Sequence, residues 1–271
     1  MPSLLNFFKK TKTKSKQPKI PEETKKPSER IAARKGELGE YKIDIQLDQL
    51  PNDYRYLSDL LIANPKAKSG YSQIDHVVIC PYGIFTIETK NYQGTIYGGK
   101  TRKTWSVNGQ FKMMNPFIQN YGHIQALSSL VDRKAQDLFI SMVSFTKRCT
   151  FKVDMDYRKI SSKELIVYDI ELTEFINRKV SILKIQHKEP LLTKQDISDI
   201  FNAFSDANIS SVETRERHKQ ALSSSLQNKE THQPSVCSVC NNLISPKVKS
   251  YCLANKKFKG KLYCFEHQKT I

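Results

Sequence analysis

The sequence lacks a long apolar run and a secretory signal. No stretch of its 271 residues approaches the ~20 consecutive apolar positions that a membrane-spanning helix requires. The apolar run Leu4, Leu5, Phe7 and Phe8 is too short for the core of a signal peptide. We therefore expect a cytoplasmic protein with no membrane span. The alternatives for residues 1–16 are a solvated lysine-rich tail and a basic amphipathic contact with a membrane surface.

Acidic residues are scarce at both ends of the chain. In total 44 Lys and Arg outnumber 27 Asp and Glu, which gives a formal net charge of +17. Residues 1–35 hold eleven basic and three acidic side chains, and residues 214–271 hold the same numbers. Residues 36–213 are almost balanced, with 22 basic and 21 acidic side chains. This distribution predicts a near-neutral central domain with two basic ends.

Composition divides the chain into four parts. Residues 1–35, rich in lysine and interrupted by prolines, predict a flexible basic leader. Residues 36–210 carry the patterns of a folded domain, with its motifs in 36–150. The polar stretch over 211–235 predicts a linker or an exposed helix, and residues 236–271 predict a separate small module. No internal repeat is present.

The hydrophobic patterns of the central domain predict an α/β fold, a mixed β-sheet flanked by helices. A turn over residues 80–83, with proline in second position, joins two strand-like runs. A further turn signal, Asn108-Gly109, predicts a hairpin, and Asn115-Pro116 predicts the start of a helix. The predicted strands are residues 54–63, 73–80, 84–90, 91–97, 105–113, 141–145 and 164–168; the predicted helices are residues 31–50, the one starting at Asn115-Pro116, and 192–207.

Charged side chains at the ends of two apolar strands predict a metal site. Glu88 and Lys90 are two residues apart and so share a strand face. If the first and last residues of the turn pair, Asp75 lies opposite Glu88. Two carboxylates suit a hard cation such as Mg²⁺ or Mn²⁺, and an ammonium can orient or deprotonate a water or neutralise charge on a phosphate. The alternative is a cross-strand salt bridge facing solvent. Glu37 or Glu40, one helical turn apart, could add a carboxylate.

Four motifs in this order resemble the nuclease-related domain (NERD) family, a branch of the PD-(D/E)XK-type endonuclease fold. They are Gly36-Glu37-Leu38-Gly39-Glu40, Ile74-Asp75-His76-Val77-Val78, the run from Gly83 to Gly94, and Asn115-Pro116 with Gln119, Asn120 and His123. Ile74 stands where the name of the wider superfamily has proline. The resemblance covers about residues 36–150. It implies a restriction-endonuclease-like core with the active site at a strand pair.

The resemblance also implies roles for single residues. Asp75 and Glu88 would bind the metal, Lys90 would be the catalytic lysine, Glu40 the helix carboxylate, and Gln119 a ligand for water or phosphate. The alternative is a degenerate site that only binds.

Three further residues are expected to have other roles. His76 points to the opposite strand face, which favours a packed or hydrogen-bonded core histidine. His123 follows Gln119 by one helical turn and could line the cleft, but we do not include it among the site residues. Trp105, the only tryptophan, is expected to pack in the core.

A second motif lies near the C-terminal end. Cys237-x2-Cys240 and Cys264-x2-His267 each offer two ligands from one tight turn, which predicts a Zn²⁺ site. So short a module has little core of its own, so metal binding would supply much of its folding free energy. Cys252 competes with His267 as a ligand, and we expect it to be a buried thiol. Cys80 and Cys149 are expected to be small core residues.

The predicted function is metal-dependent hydrolysis of phosphodiester bonds in DNA by an endonuclease. Lysines interleaved with aromatic residues around the zinc motif suit contact with nucleic acid, or else form a solubilising surface. Two alternatives remain. One is a non-catalytic DNA-binding or DNA-processing accessory module with protein partners; the other is a protein-interaction adaptor that uses the zinc module.

Overall fold

The computed structural model describes residues 27–227 and 235–270. Short 3-10 turns lie at Met155–Arg158, Asp169–Glu171 and Lys256–Phe258. The helices and strands are, in chain order, α1 (Pro27–Leu47), β1 (Arg55–Ala63), β2 (Tyr71–Cys80), β3 (Gly83–Lys90), β4 (Gly94–Tyr97), β5 (Thr104–Val107), β6 (Phe111–Met114), α2 (Pro116–Ser128), α3 (Arg133–Gln136), β7 (Phe139–Phe145), β8 (Cys149–Lys152), β9 (Glu164–Tyr168), α4 (Leu172–Gln186), α5 (Lys194–Ala207), α6 (Val212–Gln227), α7 (Pro246–Ala254) and α8 (His267–Thr270).

The strands form two mixed sheets, which confirms the predicted fold class. The larger sheet has the order β1-β2-β3-β7-β9, antiparallel from β1 to β3 and parallel from β3 to β9. The smaller has the order β6-β5-β4-β8, with β4 and β8 parallel. The chain passes from β3 to the parallel strand β7 through β4–β6, α2 and α3. The helix α2 therefore lies beside β3.

The β2–β3 turn has the predicted register. Cys80 pairs with Gly83, and the pairing continues to His76 opposite Ile87. In that register Asp75 and Glu88 are the next opposed positions. The second predicted turn is also present: Val107 pairs with Phe111, and in the three-residue loop between them Asn108 and Gly109 both have positive φ (52° and 69°).

Helices cover both faces of the larger sheet. One face packs against α1 and α4 through residues such as Ile43, Phe85 and Ile176. The other packs against α2, α3 and α5 through Ile74, Leu127 and other apolar residues. Because both faces are covered, the ends of the strands are where polar side chains reach solvent.

Trp105 packs in the core, as predicted. It is 1% exposed, and its ring contacts those of Phe117 and Tyr157. A Cβ at position 98 would lie 2.2 Å from the Trp105 ring, so only glycine fits there. The backbone of the β4–β5 connection therefore packs directly against the Trp105 ring.

The structure corrects the predicted element bounds at several places. The helix α1 begins at Pro27, inside the predicted leader, and residues 1–26 lie outside the described residues. The predicted linker contains the helix α6, and residues 228–234 are again outside the described residues. The strand β8 was anticipated only as a strand-like segment around Cys149, without bounds, and α4 was not predicted. The strand β8 has only four residues, and α4 starts without a side-chain cap, so its start signal is missing.

None of the helices in the described ranges is both long and apolar enough to cross a membrane.

Candidate active site and metal cluster

The predicted charged residues lie where the pairing of β2 with β3 ends, after His76 opposite Ile87. Lys90 Nζ lies 2.5 Å from Glu88 Oε1, so the two side chains share a face. Glu88 is 3% exposed at its side chain and Lys90 is 17% exposed. In the middle of β2, Asp75 Oδ2 accepts a hydrogen bond of 2.7 Å from the backbone N–H of Thr89. The three charged residues therefore meet where β3 separates from β2.

The helix α2 brings an amide to this pair. Gln119 Oε1 accepts a hydrogen bond of 3.0 Å from Lys90 Nζ, and Gln119 Nε2 donates one of 2.7 Å to Glu88 Oε1. One side chain thus bridges the ammonium and the carboxylate. The predicted residue Gln119 lies in the site.

A buried asparagine fixes α2 against the sheet. Asn120 is 0% exposed, and its Nδ2 donates hydrogen bonds of 2.8 Å to Thr86 O on β3 and to Ser141 Oγ on β7. At the start of the helix, Asn115 accepts a hydrogen bond from Phe117 N at 3.0 Å, which is the predicted cap. These contacts set which residues of α2 face the strand ends.

His123 belongs to the site, although it was left out of the predicted set. Its Nε2 lies 3.2 Å from Glu88 Oε2 and 3.5 Å from Gln119 Nε2. The spacing of four residues from Gln119 was the available signal, because such residues share a helix face. The sequence did not show that this face is turned toward Glu88.

The electrostatics of the site separate the two carboxylates. Burial, and then the charge of Glu88, raise the pKa of Asp75 well above its usual range. Burial alone would raise the pKa of Glu88 too, but the neighbouring Lys90 and His123 lower it. Burial would lower the pKa of Lys90, but Glu88 and Asp75 raise it. Lys90 is therefore an ammonium at neutral pH.

The helix α1 contributes Glu40. Burial raises the pKa of this half-buried carboxyl group, and its charge in turn raises that of Asp75. Gly39 brings α1 close to the end of β3, since a Cβ there would lie 3.4 Å from Asn91 Cβ. Glu37 is exposed. Of the two helix carboxylates, Glu40 lies nearer the site.

His76 lies on the opposite face of β2, as predicted. It is 1% exposed, and its Nδ1 lies 3.0 Å from Ser58 Oγ and 3.3 Å from Asp44 Oδ1. It is a hydrogen-bonded core histidine and faces α1.

The charged strand ends fit a divalent cation. Glu88 Oε2 is buried and has no well-aligned hydrogen bond, although His123 is near. Such an orphaned carboxylate oxygen can be satisfied by a metal ion. Within the described ranges, only a separate cysteine and histidine cluster brings three or more ligand atoms within 4.8 Å of one another. Asp75 and Glu88, opposed in the β2–β3 register, are the two carboxylates that would hold such an ion.

That second cluster consists of Cys237, Cys240, Cys264 and His267. The sulfur atoms of Cys240 and Cys264 are 3.8 Å apart, which is the separation expected in a tetrahedron with metal–sulfur bonds of ~2.3 Å. His267 Nδ1 lies 3.1 Å from Cys264 Sγ and 3.6 Å from Cys237 Sγ. Burial would raise the pKa of Cys237, but backbone N–H groups lower it to about 6. The cluster can hold a metal ion.

The remaining cysteines are buried, as predicted. Cys252 is 0% exposed and lies outside the cluster, with Tyr263 N and Gln268 Nε2 donating to its sulfur at 3.4 and 3.3 Å. Cys80 and Cys149 are buried in β2 and β8. His267, rather than Cys252, thus completes the four-residue set.

Comparison with known proteins places the chain in a family. Residues 35–146, which include most of α1, all of β1–β7, α2 and α3, match the nuclease-related domain. An uncharacterized protein of Bacillus anthracis is 30% identical over 194 residues, which is 69% of this chain and 84% of the relative. No solved structure matches the chain significantly. The chain belongs to the nuclease-related domain family.

Proposed function

We propose that this protein is a metal-dependent endonuclease that hydrolyses phosphodiester bonds in DNA. The proposal rests on one observation. Asp75, Glu88 and Lys90 come together where the pairing of β2 with β3 ends, and one buried oxygen of Glu88 lacks a hydrogen bond there. A structural salt bridge alone would not require a second carboxylate of raised pKa beside it. The family membership agrees with this chemistry.

The side chains have separate tasks in the proposed reaction. Asp75 and Glu88 would hold Mg²⁺ or Mn²⁺, which when bound supplies Lewis acidity toward the phosphate and its attacking water. Lys90, charged at neutral pH, stabilises negative charge that develops on the phosphate oxygens. Gln119 holds Lys90 and Glu88 in place through its two hydrogen bonds. Glu40 adds negative charge that favours the cation.

The cysteine and histidine cluster is proposed to bind Zn²⁺ in a structural role. All four positions of a tetrahedron are supplied by the protein, which is typical of structural rather than catalytic zinc. The cluster lies over a very small core, made of Cys237, Cys252, Phe258 and Tyr263. We therefore assign residues 236–271 to a zinc-stapled module that follows the nuclease-related domain.

One observation favours nucleic-acid binding by this module over an adaptor role. Phe265 is 67% exposed, and Lys269 Nζ lies 4.6 Å from the centre of its ring. A cation beside an open aromatic ring suits contact with a phosphate and a base.

The test of the nuclease proposal is nicking of plasmid DNA by the full chain with Mg²⁺ or Mn²⁺. We expect nicking by the natural protein and its loss in Glu88→Gln and Lys90→Ala, with DNA binding retained. Lys188→Ala, which changes an exposed lysine near the β2–β3 turn at the other end of the hairpin, should still nick. If neither metal supports nicking while DNA still binds, the non-catalytic accessory role replaces this proposal.

A further inference from the structure

The smaller sheet carries no acidic residue. Two of its four strands continue from the larger sheet, β4 from the end of β3 and β8 from the end of β7, so the smaller sheet adjoins the candidate site. Between Glu88 and Asp132 the sequence has five basic residues and no acidic one. Between Asp137 and Asp154 it has three basic residues and again no acidic one. The segments that form the smaller sheet are therefore basic, and among the acidic residues that contact them are Asp154 and Asp156 beside Lys100.

An aromatic pair lies in these basic segments. Tyr92 follows Lys90 by two residues, and its carbonyl accepts a hydrogen bond of 2.8 Å from Thr146 Oγ1. The ring of Phe111 lies 5.7 Å from that of Tyr92, tilted by 46°. Phe111 is 57% exposed and lies on β6, the edge strand of the smaller sheet. The pair thus presents an open ring face close to Lys90.

Two exposed cations are close to the pair along the chain or through one hydrogen bond. Arg148 Nη2 donates a hydrogen bond of 2.6 Å to Asn91 Oδ1, in the residue before Tyr92. Lys112 is exposed and follows Phe111 on the edge strand β6, where its side chain points to the other face of the strand. Positive groups that alternate with aromatic rings bind the backbone and the bases of a nucleic-acid strand. The positive charge near the aromatic pair disfavours a purely apolar protein partner.

A base reaches such a ring only if it is unstacked. In a continuous duplex the base faces are covered by their neighbours, and exposing one costs a few kcal/mol. In a single strand this cost is small. A ring that stacks a base beside the cleavage site therefore favours a single strand over a continuous duplex.

We propose that Tyr92 and Phe111 stack an unpaired base of a strand whose phosphate lies at Lys90, so that the substrate is single-stranded or locally unpaired DNA. This inference rests on the proposed nuclease function. The two rings then determine specificity, while the carboxylates and Lys90 perform the reaction.

The experiment compares binding and cleavage of one labelled sequence as a single strand and as a duplex. Fluorescence anisotropy of the full chain in Ca²⁺ without Mg²⁺ gives the dissociation constants. We expect tighter binding of the single strand, a loss of roughly tenfold in Phe111→Ala, and little loss in Phe111→Trp. Tyr121→Ala, which removes another exposed aromatic ring, is the control and should bind normally. A 2-aminopurine base should lose fluorescence on binding, except to Phe111→Ala.

The outcomes separate this inference from the proposed function. If Mg²⁺ and Mn²⁺ support no cleavage but the Phe111-dependent preference for single strands is present, the stacking surface stands and the nuclease proposal fails. If the protein cleaves duplex as well as single strand and Phe111→Ala changes neither, the nuclease proposal stands and the stacking surface is refuted. Equal losses in Phe111→Ala and Tyr121→Ala would also refute it.

Discussion

Glu88 lies at the centre of the candidate site, because side chains from its own strand and from α2 all reach its carboxylate. Lys90 and Gln119 contact Oε1, and His123 approaches Oε2. The carboxylate is buried and charged, which is costly without such partners. Removing any of these partners therefore leaves the buried charge of Glu88 less well compensated.

Glu37 and Glu40 of α1 allow a matched test at the scale of single residues. Glu40→Gln should lower the apparent affinity for Mn²⁺ roughly tenfold, because its negative charge near Asp75 is lost. Glu37→Gln removes an exposed carboxylate one helical turn away and should have no effect. Titration of nicking activity with Mn²⁺ measures both. Equal behaviour of the two variants would remove Glu40 from the site.

A second prediction concerns pH and stability. Arg158 forms two hydrogen bonds with Glu171, of 2.8 and 3.1 Å, and its guanidinium lies 4.8 Å from the ring centre of Phe175. Burial would raise the pKa of Glu171, but Arg158 and the amide of Tyr168 lower it below the usual 4.5. Because the folded-state pKa is lowered, the stabilisation is present above pH 4.5 and is lost as the solution becomes more acidic.

Glu171→Gln should therefore lower the free energy of unfolding by about 1 kcal/mol at neutral pH, a modest value because the pair is part-exposed. The difference from the natural protein should shrink as the pH is lowered through 4.5. Denaturant unfolding at several pH values measures it. The control is Glu174→Gln, whose carboxylate lies 3.5 Å from Arg178 on the surface. A constant difference at all pH values would contradict the assignment.

The charged residues at the centre of the site were predictable from the sequence, whereas one residue beside them, His123, was not. The two-residue spacing of Glu88 and Lys90 and the four-residue turn fix both strands locally, so the register with Asp75 was predictable. His123 was not, because the rotation of α2 depends on Asn120 contacting β3 and β7, strands separated by a long crossover. Its place beside Glu88 is a tertiary effect that no local pattern contains.

At the scale of elements, Arg215 of α6 binds to the edge strand β1. Arg215 Nη1 lies 2.7 Å from Asp59 Oδ2, and Nη2 donates to the Asp59 carbonyl at 2.8 Å. Asp59 has a φ of 51°, a conformation that is uncommon for a residue other than glycine. In the β1–β2 register Asp59 lies opposite Asp75. A helix beyond the matched residues 35–146 thus holds a strained position beside the site.

We expect Arg215→Ala to lower the free energy of unfolding by about 2 kcal/mol, since it leaves several polar groups of β1 and the 208–209 segment without partners. Arg217→Ala, on the same helix, should cost less than about 0.5 kcal/mol, because its contact with Glu213 is an exposed pair at 4.0 Å. Chemical denaturation measures both. Hydrogen exchange at Leu61, whose amide donates to Asn208, should rise in Arg215→Ala alone. Unchanged hydrogen exchange at Leu61 in Arg215→Ala would show that the contacts of Arg215 do not protect β1.

The segment that contains α6 shows that amino-acid composition does not predict how a polar helix packs. Its polar, charged sequence predicted a linker or an exposed helix, and the helix alternative is the one present. Its buried contacts are polar: His218 is 4% exposed and lies 2.9 Å from Ser69 Oγ. A helix attached through hydrogen bonds and ion pairs has no apolar stripe by which sequence patterns can detect its packing.

At the scale of the whole molecule, metal removal should act on one part of the chain. A zinc chelator should abolish hydrogen-exchange protection over residues 235–270, because their apolar core is very small. The large sheet should stay protected. Uniform loss of protection throughout the chain, or none, would contradict this division.

Two cysteine variants sharpen the zinc assignment. Cys240→Ser should lower the bound zinc, measured by elemental analysis, since it replaces a member of the cluster. Cys252→Ala changes a buried thiol outside the cluster and should retain the metal. Loss of zinc in Cys252→Ala with a folded module would reassign the ligands.

The parallel pairing of β3 with β7 has a consequence for how the site assembles. Asp75, Glu88 and Lys90 lie in a hairpin closed by a four-residue turn, whereas Gln119 and His123 lie in the crossover to β7. Hairpins form in microseconds, and pairings across long loops form later because loop closure costs entropy. During folding, the acidic pair and its lysine should therefore meet first. The amide and imidazole join them only when β7 adds to the sheet.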